Sequence, residues 1–466
     1  MTLVWTELLG SRRRGARELA DALGRAIAEG RLAPGERLPA HRELARTLGI
    51  GIGTVTRAYA LAAERRLVSG EVGRGTFVRA QAPGEEPERS RLLTGPHAEV
   101  DLGLNLPLCT PVEDERAVAR ALEELGPSGV ARLLGTPWSA VEERQRLAGA
   151  RWLARAGLTD VDPQQVLFST GFHTALQAVL RALTRPGDTV LCEALTYPGL
   201  KRIARSLDLH LLGVEVDRDG IVPAALERAS RASGARVVHL RPTLSPVTTA
   251  TLPPARRKEL ARIARARELT IVEEDEMFPL LEKPPLPLAA FAPERTVLIA
   301  DVTRATLVGL RLAYVLAPQA RHQALEDALH HEVWMPSALL AELVAHWDED
   351  GALDELITAR RAELDRRGDL AREVLSEFAV ACPRRSTCAW LELPRGVRPD
   401  ELALLARARG VELFPAELFH PESGPPPPRA VRLSLCGPQR LEDLERGLRV
   451  VAQLAGQLPS RRRALA

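Results

Sequence analysis

Lysine is nearly missing from this chain. Of its 63 basic residues only Lys201, Lys258 and Lys283 are lysines; the rest are arginines. A guanidinium stays protonated with its lone pairs delocalised, so it does not replace an amine as a nucleophile. Imine chemistry is thereby confined to three positions. Cysteine is sparse and odd in number: Cys109, Cys192, Cys382, Cys388 and Cys436 include no CxxC pair. That argues against a disulfide frame and for reduced core thiols in a cytoplasmic protein. The ten histidines show no metal-ligand spacing, and no metal site is expected. No run approaches the ~20 apolar residues of a membrane span, so no membrane partner is expected. No charged-then-apolar leader with a small-residue cleavage site opens the chain, and there is no internal repeat. What is present is length and apolar content: 466 residues, 45% hydrophobic, enough for two or three packed domains.

The most patterned stretch runs from Gly30 to Val78. Leu19, Leu23 and Ile27 precede it at i, i+4, i+8, the spacing of one helix face. A short helix is expected to follow Pro39, a residue tolerated in a first helical turn, with Leu44 and Leu48 inward and Gly49 as its stop. A second, from about Gly53, turns Val55, Ala58 and Leu61 inward; two short helices across a Gly-containing turn form a helix-turn-helix. Leu67–Ser69 and Thr76–Val78 then pair as a hairpin around Gly73-Arg74-Gly75. Residues 1–80 carry fourteen Arg and no Lys against eight acids, a balance of +6 in a chain whose total is +2. A basic segment alone is compatible with an ordinary solvated face; joined to this element order, it points to a polyanion.

"LPAHRELARTLG", "TVTRAYALA" and "GRGTFV" resemble the GntR-type winged helix over about fifty residues. The resemblance implies binding to a double-stranded DNA operator, with Arg42 on phosphate, Thr54, Thr56 and Arg57 on the helix that enters the major groove, and Arg74, Gly75 and Thr76 in the wing. Guanidinium and hydroxyl groups suit those tasks. Two positions depart from the pattern: Gly51-Ile52 replace a Ser-Arg pair, and Ala40 replaces a capping serine.

Residues 81–98 read as a linker, rich in Pro, Gly and charge. Beyond it, residues 99–455 alternate apolar strands with helices: "QVLFST" before "GFHTALQAVLRAL", "DTVLCEA" before "YPGLKRIARSL", "RVVHLRP" before "ARRKELARIARA", then "TIVEED", "TVLIAD" and "LRLAYVLA". This predicts a mostly parallel α/β sheet covered on both faces, at about 130–330, and a smaller α+β part at about 355–455, with 456–466 as a basic tail.

"STGFHTAL", "TYPG", "GLRLAY" and "VRL" resemble fold type I aminotransferases, and the whole chain is similar to the MocR/GabR-type regulators, in which a GntR-type reader precedes such a domain. "STG" before a helix leaves free N–H groups, a natural phosphate site at Gly171. Arg311 and Arg432, on short apolar segments, want anions; alone, each reads as well as a structural ion pair. The resemblance puts cofactor phosphate near Arg311 and substrate carboxylate at Arg432, with His173 and Tyr197 beside the pocket. It also implies that the catalytic equipment is gone. Arg304 holds the Schiff-base lysine position, Asp301 a phosphate-binding Ser/Thr, and Ser245-Pro246 a Gln-Asn pair. Glu274 and Glu276 stand where an aspartate and a tyrosine do, and Leu134 replaces another tyrosine. The expectation is a pseudo-aminotransferase without catalytic residues and without a bound cofactor. It would act as a homodimeric regulator, with a small anionic or amino-acid-like effector as an open option. Non-covalent pyridoxal phosphate and a working pyridoxal phosphate enzyme are the alternatives.

Overall fold

A computed structural model describes residues 38–64, 68–71, 75–78, 98–135, 143–334, 336–421 and 423–464, with seven further positions between 16 and 36. The chain divides into two compact units, Met1–Leu93 and Thr94–Ala466. The expected linker lies outside the described residues except for its last position.

In the first unit, α1 (His41–Leu48) stops at Gly49, whose φ of 62° ends the helix in the left-handed region. The helix follows Pro39 as expected, after the cap residue Ala40, whose backbone is still extended. After a short turn comes α2 (Ile52–Glu64). Leu19, Leu23, Leu44, Leu48, Val55 and Ala58 are buried together, as the spacing predicts. Leu61 is only half-buried; Tyr59 and Ala62, one turn beyond Val55 and Ala58, take the inward positions. Ile27 lies outside the described residues. Strands β1 (Val68–Glu71) and β2 (Gly75–Val78) pair antiparallel with Val68 opposite Val78. The hairpin tip, including Arg74, lies outside the described residues.

The second unit is built on β3 (Val166–Ser169), β4 (Thr189–Glu193), β5 (His210–Val214), β6 (Val237–Leu240), β7 (Thr270–Asp275), β8 (Thr296–Asp301) and β9 (Ala313–Leu316). They lie in the order β3-β9-β8-β7-β6-β4-β5. All run parallel except β9, which is antiparallel to both neighbours. Every residue of β6, β7 and β8 is buried, as strands covered on both faces require. Helices α3 (Phe172–Leu183) and α4 (Pro198–Ser206) follow β3 and β4. A smaller antiparallel sheet, β10 (Val380–Ala381), β11 (Cys388–Glu392), β12 (Phe414–Pro415) and β13 (Ala430–Ser434), has the order β10-β11-β13-β12. Its core includes residues of α5 (Ala352–Val374) and α6 (Leu441–Ala464). The expected tail continues α6 as far as Ala464.

Parallel register sets the site. Glu274 on β7 lies opposite Ile299 on β8, so Glu274, Glu276 and Asp301 gather at the carboxyl ends of adjacent strands. That edge is where open α/β sheets bind ligands.

Candidate functional site

The first unit presents a polar face on α2. Ile52, Gly53, Thr56, Arg57 and Ala60 are exposed, opposite buried Val55, Ala58, Tyr59 and Ala62. Arg57, and Arg42 on α1, are exposed and form no ion pair or hydrogen bond among the described residues. Thr54 is half-buried in the first turn, its N–H donating to Gly51 O at 2.9 Å. The Thr56 hydroxyl lies 3.2 Å from His41 Nδ1. The His41 ring meets Tyr59 edge-on at 4.9 Å, and Tyr59 donates to Pro39 O at 3.0 Å. His41 thus links the two helices, a role that apolar spacing does not reveal. Gly75 and Thr76 lie on β2, and Thr76 O accepts from Leu38 N at 2.8 Å, tying the hairpin to the segment before α1.

In the second unit, α3 opens against a carboxylate from its own chain. Gly171, at φ 87°, leads into the helix, and Asp301 accepts from Phe172 N at 3.0 Å and from Thr303 N at 2.6 Å. Burial, reinforced by the charge of Glu276, pushes Asp301 up to about 6. Beside it, Glu276 accepts from Arg241 at 2.6 Å and from Arg304 at 3.2 Å. Arg241 also lies 2.9 Å from Glu274, whose other oxygen is 3.0 Å from His239 Nε2. Arg304 donates in addition to Asn105 O at 3.0 Å. Burial pushes the Arg304 guanidinium down, but Glu276, together with Cys436 and Asp301, turns the net shift upward. Burial likewise pushes Glu274 up, and Arg241 and His239 turn the net shift downward.

Arg241 is the residue that motif reading missed. It follows β6 directly, and its guanidinium carbon stands 5.6 Å from the Tyr197 ring centre and 5.9 Å from that of Phe172. The available signal was an arginine at the end of the buried-type strand "VVHL", one strand away from Glu274 and Glu276. Tyr197 caps α4 and its ring packs edge-on against Phe172 at 5.3 Å and His173 at 6.4 Å. Gly199 makes room for that ring: an added Cβ would come within 1.9 Å of it.

Three expected pocket residues are placed differently. Ser245 is buried, with its described bonds inside its own loop: its hydroxyl accepts from Val247 N and Thr248 N, each at 3.4 Å. Leu244 and Thr249, at φ 41° and 68°, mark that loop as strained. Arg311 is not on a strand; it precedes β9, exposed, at φ 47°, with no ion pair or hydrogen bond among the described residues. Water solvates it, so burial does not oblige it to hold an anion. It still runs beside Gly171, where an added Cβ would lie 3.6 Å from Arg311 Nε. Arg432 is buried on β13, but its guanidinium donates to the carbonyls of Pro246, at 3.2 Å, and Gly103, and stacks over Phe419 at 4.7 Å.

The lysines stand apart from this cluster in their described contacts. Lys201 Nζ donates to Leu418 O at 3.1 Å, and Lys258 lies over the Phe291 ring at 5.9 Å. Among the described residues, one metal-compatible group escaped sequence reading: ligand atoms of Glu124, His346 and Asp350 lie within 4.8 Å of one another. There Arg120 is 3.4 Å from Asp350, and Glu124 is 3.1 Å from His346, so both acids already have a partner across the helix contact. The five cysteines are free thiols, and no described helix is long and apolar enough to cross a membrane.

Known proteins place both units. Residues 16–78 match the bacterial regulatory proteins of the gntR family, and residues 100–444 match the aminotransferases of class I and II. The chain is 31% identical over 444 residues, 94% of each chain, to the uncharacterized HTH-type transcriptional regulator YdeF of Bacillus subtilis. It is 26% identical over 377 residues, 78% of this chain and 79% of the other, to PdxR of Corynebacterium glutamicum, an HTH-type pyridoxine biosynthesis transcriptional regulator. In fold it resembles the Pyrococcus horikoshii kynurenine aminotransferase (TM-score 0.72, 20% identity, 85% of this chain and 99% of that one). The α-aminoadipate aminotransferase LysN of Thermus thermophilus is similar too (TM-score 0.69, 23% identity, 80% and 95%). With a winged helix at its front and the aminotransferase fold behind it, the chain belongs to the HTH-type transcriptional regulators that join a gntR-family reader to a class I and II aminotransferase domain, and it is a DNA-binding regulator.

Proposed function

We propose that the aminotransferase-like unit of this regulator neither transaminates nor holds pyridoxal phosphate. Instead it pairs two chains into a cytoplasmic homodimer that presents two readers to a double-stranded operator. The observation that carries this reading is the bond from Phe172 N to Asp301. The helix start that suits a phosphate already has an anion, and a second one brought there would be repelled. The residues do not fit the cofactor elsewhere either. Arg304 stands where the resemblance places the Schiff-base lysine, and a guanidinium does not form an imine. Glu276, bonded to Arg241 and Arg304, spans the space beside it.

The test is optical and chemical. The purified protein is expected to lack visible absorption, to stay unchanged on addition of pyridoxal phosphate, and to yield no borohydride-trapped adduct on its lysines. A trapped adduct at Lys201, Lys258 or Lys283 overturns the reading. A second reading has one observation in its favour: Arg311 is exposed and without a described partner beside Gly171. On that reading the mouth of the pocket takes pyridoxal phosphate, or a small anionic or amino-acid-like effector, without a covalent bond. Its signature is saturable binding that Arg311→Ala abolishes while borohydride traps nothing. Control of DNA binding by such a ligand further requires different affinities for two arrangements of the readers.

A further inference from the structure

We propose that Ile52 reads the methyl group of a thymine in the operator. The inference rests on DNA recognition by α2 and adds the chemistry of one base contact. Ile52 is the first residue of α2 and is 49% exposed, on the face shared with Gly53, Thr56 and Arg57 and turned away from the buried Val55 and Ala58. Its neighbours carry no side chains, and the fold does not demand their absence. A Cβ on Gly53 would meet nothing within 4 Å, and one on Gly51 would meet only Thr54 Oγ1, at 3.9 Å. Gly51-Ile52-Gly53 is therefore a helix tip with one apolar projection between two bare backbone positions, so close approach to a surface is open on both sides of it.

The first residues of a recognition helix are those that reach base edges. The major-groove edges of guanine, cytosine and adenine are marked by hydrogen-bonding groups, and thymine alone adds a methyl, at C5. An isoleucine has no hydrogen bond to give, so thymine is the base whose edge it complements. Thr56 and Arg57, one turn further along the same face, remain for polar contacts to bases or phosphates.

The full-length protein is used to select sites from a random duplex pool, and each thymine of the selected site is then replaced by deoxyuridine, which removes the methyl alone. The parent is expected to lose about fourfold in affinity at one thymine per half-site, the factor one buried methyl supplies. Ile52→Ala is expected to bind the thymine and deoxyuridine versions equally. The proposal is overturned if no deoxyuridine weakens the parent, or if the same penalty persists in Ile52→Ala. In both cases DNA recognition itself stands, since a site was selected. If no sequence is enriched at all, recognition by the winged helix fails and this contact fails with it.

Discussion

Two sets of arginines, one in each unit, are used in opposite ways. On the reader, Arg42 and Arg57 are exposed and lack a described partner, so their charge is available to an outside anion. In the body, Arg241, Arg257, Arg304, Arg360, Arg367 and Arg432 are each 8% exposed or less, and each donates hydrogen bonds to groups inside the fold. Arg257 donates to Leu252 O and Pro242 O, both at 2.9 Å. Arg367 donates to Leu435 O at 2.8 Å and Pro438 O at 2.6 Å. Five donors in a planar fork let one guanidinium staple several loop carbonyls at once. The same residue type is a hook where its field is uncompensated and a tie where its donors are taken. Only the partners tell which.

The strongest way to break that comparison is to remove a tie. Arg304→Ala leaves Glu276 buried with Arg241 alone, and a loss of about 3 kcal/mol in unfolding free energy is expected, as for one half of a buried pair. Calorimetry measures it, and operator affinity below the melting range is expected to hold. Unchanged stability would mean that Arg304 is not a tie. Removing a hook gives the inverse pattern. Arg57→Ala is expected to weaken operator binding by about 1–3 kcal/mol if it meets a base, or to reduce the salt slope by about one unit if it meets a phosphate. Titrations at several salt concentrations separate the two, and the melting temperature is expected to stay put. The same experiment on Arg42 tests its phosphate role.

Protons offer a finer probe of the body. Burial pushes Glu193 up to about 8, far above its ordinary value, against a backbone bond from Arg241 N at 3.4 Å. The folded state therefore holds a proton that the unfolded chain releases above about pH 5. This group's contribution is full below its unfolded pKa and is lost as the pH rises through about 8. Glu193→Gln lacks that loss, so its melting temperature relative to the parent is expected to rise by a few degrees, on the order of 4 °C, between pH 5 and pH 8. A pH-independent difference would show that Glu193 keeps one protonation state throughout. The smallest effect is expected at His41→Leu, which frees the Thr56 hydroxyl at a cost of about 1 kcal/mol in operator affinity. Because no charge contact to phosphate is lost, the salt slope is expected to remain that of the parent.

Local patterning made most of the fold legible. Runs such as "DTVLCEA" and "TVLIAD" announced buried parallel strands, and Gly49 announced the end of α1, because each depends on residues next to one another. The reversed direction of β9 is a matter of pairing, which no single run encodes. The exposed face of α2 was legible for the same local reason, but the link made by His41 was not, since its partners Thr56 and Tyr59 lie on the other helix. The pocket was legible only as a set of substitutions. Asp301 and Arg304 stood out by type, but the bond from Phe172 N to Asp301 joins residues 129 positions apart. Arg241 matched no motif, yet it sits at the centre of the cluster. Arg311 was misread because burial was inferred from an apolar stretch, whereas its left-handed backbone turns it out of the strand.

The bond between Asp301 and the start of α3 also has a consequence for redesign. Several groups in this pocket depend on a neighbour: Asp301 satisfies Phe172 N, Glu276 neutralises Arg304, and Arg241 lies between Glu274 and Glu276. Replacing any one of these side chains alone would leave a buried group without its partner. The cluster is an interlock. Remaking it for another ligand requires several coordinated changes, and each first step leads downhill in stability.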